Sequence, residues 1–197
     1  MRNQEYILKK ASALIDKKNY KETKSVLLEL IKEVKNIKID ARTYYLLYLA
    51  FDGLKEVKSA KKYLEKCLKI NNTNHIALNN LANLYLKEGN TIKAEKFYLE
   101  SLENKNDYLI AIINIAIFYQ STGKLSEAKK FYLKAIELAP KRLSIYFNLS
   151  RIDKNFMSEE KIKYIADLIK NKKIEPIDIA YGFFLLAEHE RKKNFFI

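Results

Sequence analysis

Few residues in this 197-residue chain have the type and spacing that covalent chemistry needs. His75 and His189 are far apart, and neither has a carboxylate or cysteine partner in a metal-ligand motif, so no metal is expected. Cys67 is the single cysteine. It rules out an internal disulfide framework, suits a reducing compartment, and reads as a buried alanine substitute with no histidine spaced to activate it. Gly53, Gly89, Gly123 and Gly182 are too scattered to cradle a phosphate. No catalytic residue and no cofactor is expected in the chain. The side chains that can act are amides: Asn80, Asn114 and Asn148 recur at intervals of 34 residues. A primary amide supplies both a donor and an acceptor, enough to engage the backbone of an extended peptide without reading its sequence.

The same interval governs the whole middle of the chain. Ala82, Tyr85, Gly89, Ala94 and Tyr98 return as Ala116, Tyr119, Gly123, Ala128 and Tyr132, and Phe51, Ala60 and Leu64 hold the register one step earlier. A fixed 34-residue period with small residues and aromatics in these places marks stacked helix-turn-helix units. Leu78, Leu81, Ala82 and Tyr85 form one apolar stripe at helical spacing, and Ile112, Ile115, Ala116 and Tyr119 repeat it. Ala82 and Ala116 are expected to be small because the two helices of a unit cross there. Gly89 and Gly123 follow the first helix, where a residue free to take positive φ ends it and turns the chain. Second helices carry Ala94, Tyr98 and Ser101, or Ala128, Tyr132 and Ala135, facing back onto the first, and Pro140 closes its unit.

This set of residues resembles the tetratricopeptide repeat. The resemblance implies an all-α fold: a right-handed solenoid of antiparallel helix pairs, about four to five units plus a terminal helix, in a single array over residues 1–197. The expected units are approximately 4–37, 41–74, 75–108 and 109–142, then a divergent 143–174 and a terminal helix over 176–193. In the unit from Ala41 to Asn74, Tyr48 stands where a small residue is usual and Lys55 replaces the turn glycine; from Gln4 to Ile37, Thr23 replaces the second-helix alanine. After Arg142, Tyr146, Leu149 and Ile152 read as a first helix with no glycine behind it. Ser158, with Glu159 and Glu160 following, starts the next, whose stripe is Ile162, Ile165, Ala166 and Ile169. The last helix begins after Pro176, with Asp178 near its start and Ile179, Phe183, Leu186 and Ala187 as its stripe. The stretch from Leu143 to Ile197 is similar to the region joining tetratricopeptide arrays to sulfotransferase domains in some bacterial proteins.

In the stacked pairs implied by the resemblance, first helices line a concave surface. Beside the core stripe, helical spacing places Asn79, Asn80 and Asn83 in one unit, then Ile110, Ile113, Asn114 and Ile117, then Phe147, Asn148 and Arg151. These are the expected peptide-binding residues. The three periodic asparagines are similar to the asparagine ladder of O-GlcNAc transferase, which implies a hold on a peptide backbone. They are also placed to link neighbouring helices, the role favoured here. Ile110, Ile113, Ile117 and Phe147 lie off the core stripe, either as an interaction site or as contacts between adjacent first helices. The carboxylate clamp that some tetratricopeptide domains use for chaperone tails is not kept: Tyr45 and Leu49 stand for its first lysine and asparagine, and Ile110 for a later lysine.

The formal net charge is +13, yet only five of the 37 basic residues are arginine. The lysines interleave with glutamates, as in Lys61, Lys62, Glu65 and Lys66, the pattern of a solvated helix face. Weak attraction to polyanions follows; specific nucleic-acid binding, which gathers cations on one face with stacking aromatics between them, does not. No apolar run reaches membrane-spanning length and the amino terminus carries no signal-like block, so a cytoplasmic protein with no membrane partner is expected. The expected function is a non-catalytic scaffold that takes a protein or extended peptide on its concave face. The alternative is the substrate-presenting arm of a larger transferase, a sulfotransferase before a glycosyltransferase, with catalysis in a domain beyond this chain. An end unit of a solenoid needs a polar outer face. The terminal helix, followed by Phe195, Phe196 and Ile197, lacks one and is expected to continue into further chain or to associate with another subunit.

Overall fold

A computed structural model describes residues 4–33, 39–171 and 174–194, with side chains described as far as Arg191. Phe195, Phe196 and Ile197, and Ile37 at the edge of the first expected unit, lie outside the described residues. Eleven helices and no strand are present among the described residues, and the fold is all-α. The chain divides into two compact parts, Met1–Asn106 and Asp107–Ile197. The first contains α1 (Gln4–Asp16), α2 (Tyr20–Glu33), α3 (Ala41–Gly53), α4 (Val57–Ile70), α5 (His75–Lys87) and α6 (Thr91–Asn104), packed as consecutive pairs. The second contains the pair α7 (Leu109–Ser121) and α8 (Leu125–Leu138), then α9 (Leu143–Ile152), α10 (Glu159–Lys170) and α11 (Pro176–Asn194).

Small residues line the helix contacts of these pairs, except that Tyr48 holds the first-helix place in α3. Ala11, Ala82 and Ala116 on first helices are fully buried, as are Ala60, Ala94 and Ala128 on second helices, with Thr23 at the equivalent place in α2. A methyl side chain lets two helices approach, and the larger residue one turn on then fills the space beside the crossing. Those larger residues are Leu27, Leu64, Tyr98 and Tyr132, all fully buried. The Thr23 hydroxyl donates to the carbonyl of Asn19 at 2.8 Å, so a polar atom in this column is satisfied within its own helix. Aromatic pairs lock the far end of the hairpins: Phe51 stacks on Tyr63 at 5.1 Å, Tyr85 on Phe97 at 5.4 Å, and Tyr119 meets Phe131 at 5.7 Å.

The turns repeat as faithfully as the columns. At the end of α5 the Asn90 N–H donates to the Tyr85 carbonyl (2.9 Å) and the Gly89 N–H to Leu86 (3.0 Å), with Gly89 at φ 76°. This is the double closure of a helix around one left-handed residue. It recurs at Gly123 (φ 78°), where the Lys124 N–H reaches the Tyr119 carbonyl at 2.9 Å. It recurs again at Lys55 (φ 64°) and Lys18 (φ 57°), through Glu56 on Phe51 at 2.9 Å and Asn19 on Leu14 at 2.8 Å. Lysine has a Cβ that disfavours this conformation by roughly 1–2 kcal/mol, so the hairpin geometry imposes it.

One lysine position ties three of the second helices, α2, α4 and α8, to the turn that follows the next helix; in α6 the position is Glu95. Lys24 reaches Glu56 at 2.8 Å and lies 4.7 Å over the Phe51 ring, and Lys61 pairs with Glu88 while sitting 3.9 Å over Tyr85. In the second part Lys129 bonds Asp153 at 2.7 Å and, through that bond, holds its carboxyl below the usual range. Each such pair near the surface adds only a fraction of a kcal/mol, of order 0.2–1.

The divergent end is built differently. α9 stops at Asp153 in extended backbone without the left-handed closure, and the chain runs on until Phe156 packs on Tyr146 at 5.9 Å. α11 then packs against both α9 and α10. Its buried face is Asp178, Gly182 and Leu185. The expected stripe of Ile179, Phe183, Leu186 and Ala187 is therefore corrected: Ile179 and Leu186 are half-buried, while Phe183 and Ala187 are exposed. Gly182 lies at the contact, where a Cβ would stand 2.6 Å from Ile169 Cδ1 and 2.9 Å from Leu143 Cδ1, so that a larger residue would require those side-chain ends to move. Asp178, buried, accepts the Ser144 N–H at 3.1 Å and so caps the amino end of α9 from another helix.

Two stability changes follow. Lys55→Gly is expected to raise the unfolding free energy by up to about 1 kcal/mol, seen as a higher urea midpoint with unchanged slope, because it removes the left-handed penalty. Asp178→Ala is expected to lower it by about 1 kcal/mol, as loss of a helix cap does, with the same measurement as the check.

Candidate binding surface

The residues expected to face a ligand divide into those the fold uses and those it leaves outward. Asn79 is only 1% exposed, and its amide donates to Asn80 Oδ1 at 3.5 Å. It lies inside the packed helices of the first part, which corrects its expected place on an open surface. A buried amide that finds a partner is tolerated there, so helical spacing alone could not tell it from a surface asparagine. Asn83 accepts a hydrogen bond from the Tyr98 hydroxyl, and burial pushes that phenol up to about 12. Asn80 reaches from α5 to α3, its Nδ2 donating to the Tyr45 hydroxyl at 3.2 Å. In the first part, then, the three asparagines bind the protein to itself.

The second part keeps more of its expected surface outward. On α7, Ile110 is 50% and Ile117 43% exposed, with Ile113 and Asn114 half-buried between them. On α9, Phe147 and Asn148 are half-buried and Arg151 is exposed, its guanidinium 5.7 Å over the Phe147 ring. Asn148 forms no side-chain hydrogen bond among the described residues. Phe147 also meets Tyr181 at 5.3 Å and, edge-on, Phe184 at 5.1 Å, both from α11. Between them lies an apolar cavity of about 200 Å³ lined by Phe147, Ile177, Ala180, Tyr181 and Phe184. The contribution of α11 was missed in the sequence because its phase was read wrongly; the spacing Ile177, Tyr181, Phe184 is the signal that would have found it.

Other reactive groups are closed off. Cys67 is fully buried and its thiol is pushed up to about 11 by burial, which leaves it unreactive near neutral pH. His189 bonds only a single carboxylate, Glu159, at 3.1 Å, and no group of three or more metal-ligating side chains exists among the described residues. No helix among the described residues is long and apolar enough to cross a membrane.

Models of the tetratricopeptide repeat match residues 41–74 and 73–141, together half of the chain. The chain belongs to the tetratricopeptide repeat family. No curated protein matches it. Among solved structures it is similar to a MamA protein at 25% identity, with a TM-score of 0.62 over 72% of this chain and 81% of that one. The fold also agrees with MamA from Desulfovibrio magneticus RS-1, at 16% identity and a TM-score of 0.67 over 95% of each chain. A third tetratricopeptide structure, the first such domain of Spaghetti (RPAP3) bound to the HSP90 peptide SRMEEVD, aligns at 20% identity with a TM-score of 0.56 over 60% of this chain and 94% of that one.

A pair of substitutions separates asparagines that hold the fold from those that do not. Asn83→Ala leaves the buried Tyr98 hydroxyl without its acceptor and is expected to lower stability by about 1–3 kcal/mol. Asn148→Ala is expected to leave the thermal midpoint unchanged, since no bond within the protein is lost. Differential scanning calorimetry of the two variants is the check.

Proposed function

We propose that this protein is a non-catalytic scaffold whose second part binds a protein partner as an extended peptide or short helix. The observation that carries the reading is the outward apolar surface of first helices in that part: Ile110, Ile113 and Ile117 on α7, and Phe147 on α9 with Phe184 beside it. Exposed isoleucine and phenylalanine gathered on the first helices mark an interaction site. The peptide seen on one structural neighbour supports the class of ligand, and its carboxylate chemistry does not carry over. Tyr45 and Leu49 fill positions where a clamp would need lysine and asparagine. Affinity then comes from apolar contact, with the Asn148 amide as the nearest group able to meet a peptide backbone.

The Ile110→Ser, Ile117→Ser double variant removes two exposed side chains and no core contact. It is expected to keep the parent's melting temperature within a few degrees and to weaken binding of peptides selected on the parent by about tenfold or more, measured by fluorescence anisotropy. Equal affinity for parent and variant would show that α7 takes no part.

A further inference from the structure

The groove beside α11 has a chemical character that narrows its ligand. Three cavities follow one another along this helix and share walls. Ile177 lines both a cleft of about 600 Å³ beside Lys141, Arg142 and the start of α11 and the aromatic cavity, and Phe184 lines both that cavity and a further space of about 290 Å³ with Ala187 and Arg191. From Ile177 to Arg191 the helix rises about 21 Å, the length of roughly six extended residues.

Three of the chain's five arginines border this groove: Arg142 at one end, Arg191 at the other, and Arg151 over the Phe147 ring between them. None of the three forms an ion pair among the described residues. Of the acids beside them, Asp178 is committed to the Ser144 amide and Glu188 is engaged within the protein, which leaves Glu175. Arginine elsewhere in the chain is scarce against a background of lysine, so its concentration around an aromatic floor is not compositional. Its planar fork suits carboxylates, and its weak hydration suits an apolar setting.

We infer that this groove takes an acidic peptide that seats one bulky apolar side chain in the cavity between Phe147, Tyr181 and Phe184 while its carboxylates pair with Arg142, Arg151 and Arg191. The inference rests on the scaffold reading and specifies its ligand. Charge decides among the occupants. A second copy of the chain would bring +13 against +13. Single-stranded nucleic acid needs open ring faces spaced for successive bases. Here Phe147 is covered by Arg151 and packed edge-to-ring with Phe184, and Ile177 and Ala180 give the cavity aliphatic walls.

The test is selection of random octapeptides on the full chain, followed by titration of the enriched peptides and of an oligouridylate at low and physiological salt. The expected result is enrichment of peptides rich in Asp and Glu around one Leu, Phe or Met. Their affinity should fall about tenfold in an Arg142→Gln, Arg151→Gln variant and about as much in Phe184→Ala, both with unchanged melting curves. Enrichment of neutral or basic peptides that bind parent and arginine variant alike would overturn the inference and leave the scaffold reading standing. No enrichment at all would overturn both. Tighter binding of the oligouridylate than of any peptide, persisting at physiological salt, would assign the groove to nucleic acid instead.

Discussion

The close approach of two helices at a pair of buried alanines is the constraint on which the α5–α6 and α7–α8 hairpins depend. Ala82 and Ala94 in one hairpin, and Ala116 and Ala128 in the next, are fully buried, and a methyl side chain lets the two backbones approach. That approach fixes how deep the residue one turn further on must sit, and Tyr98 and Tyr132 fill the space completely. A phenol driven so far inside cannot leave its hydroxyl unpaired. The first helix therefore has to supply an acceptor, and it does so through Asn83 in one hairpin and Gln120 at 2.6 Å in the next. Alanine in one column thus dictates a polar residue on the facing helix, through tyrosine.

What could be read from the sequence was whatever repeats. The 34-residue columns gave away the helices, their pairing and the small contacts, because each column reports the same physical requirement several times over. Turn residues were only half legible. Gly89 and Gly123 signal a left-handed residue by their type, whereas Lys18 and Lys55 take the same conformation through the closure of the hairpin and carry no local sign of it. The asparagine strip shows the same limit. Spacing put Asn79, Asn80 and Asn83 beside the core stripe, yet a difference of one helical position separates a buried amide from a half-exposed one, and an amide is content in either place provided it is bonded.

The last helix was misread for a sharper reason. Apolar periodicity assumes that the buried face is the greasy one. In α11 the buried face has an acid that caps α9, a glycine where three helices crowd together, and a leucine, while Phe183 (59% exposed), Phe184 (54%) and Ile177 (64%) face outward. A helix that reserves its interior for a cap and a close contact turns its aromatic residues to solvent, and the apolar period then marks the outer face instead of the buried one.

The two closely matching hairpins show how such a surface arises without disturbing the fold. Position 83 of the first becomes position 117 of the second one period later, so Asn83 is exchanged for Ile117. If the tyrosine hydroxyl depended on that one position, the exchange would strand it in the core. It does not, because Gln120, one turn further along α7, reaches the same depth and accepts from Tyr132 instead, while the corresponding residue of α5 is Leu86. The hydrogen bond moves by a turn and position 117 is released from structural duty. Only then can it carry an isoleucine that is 43% exposed. The repeat keeps its core requirement constant and lets the residue that meets it shift, and this slack allows one hairpin to use its asparagines internally while the next presents an apolar face.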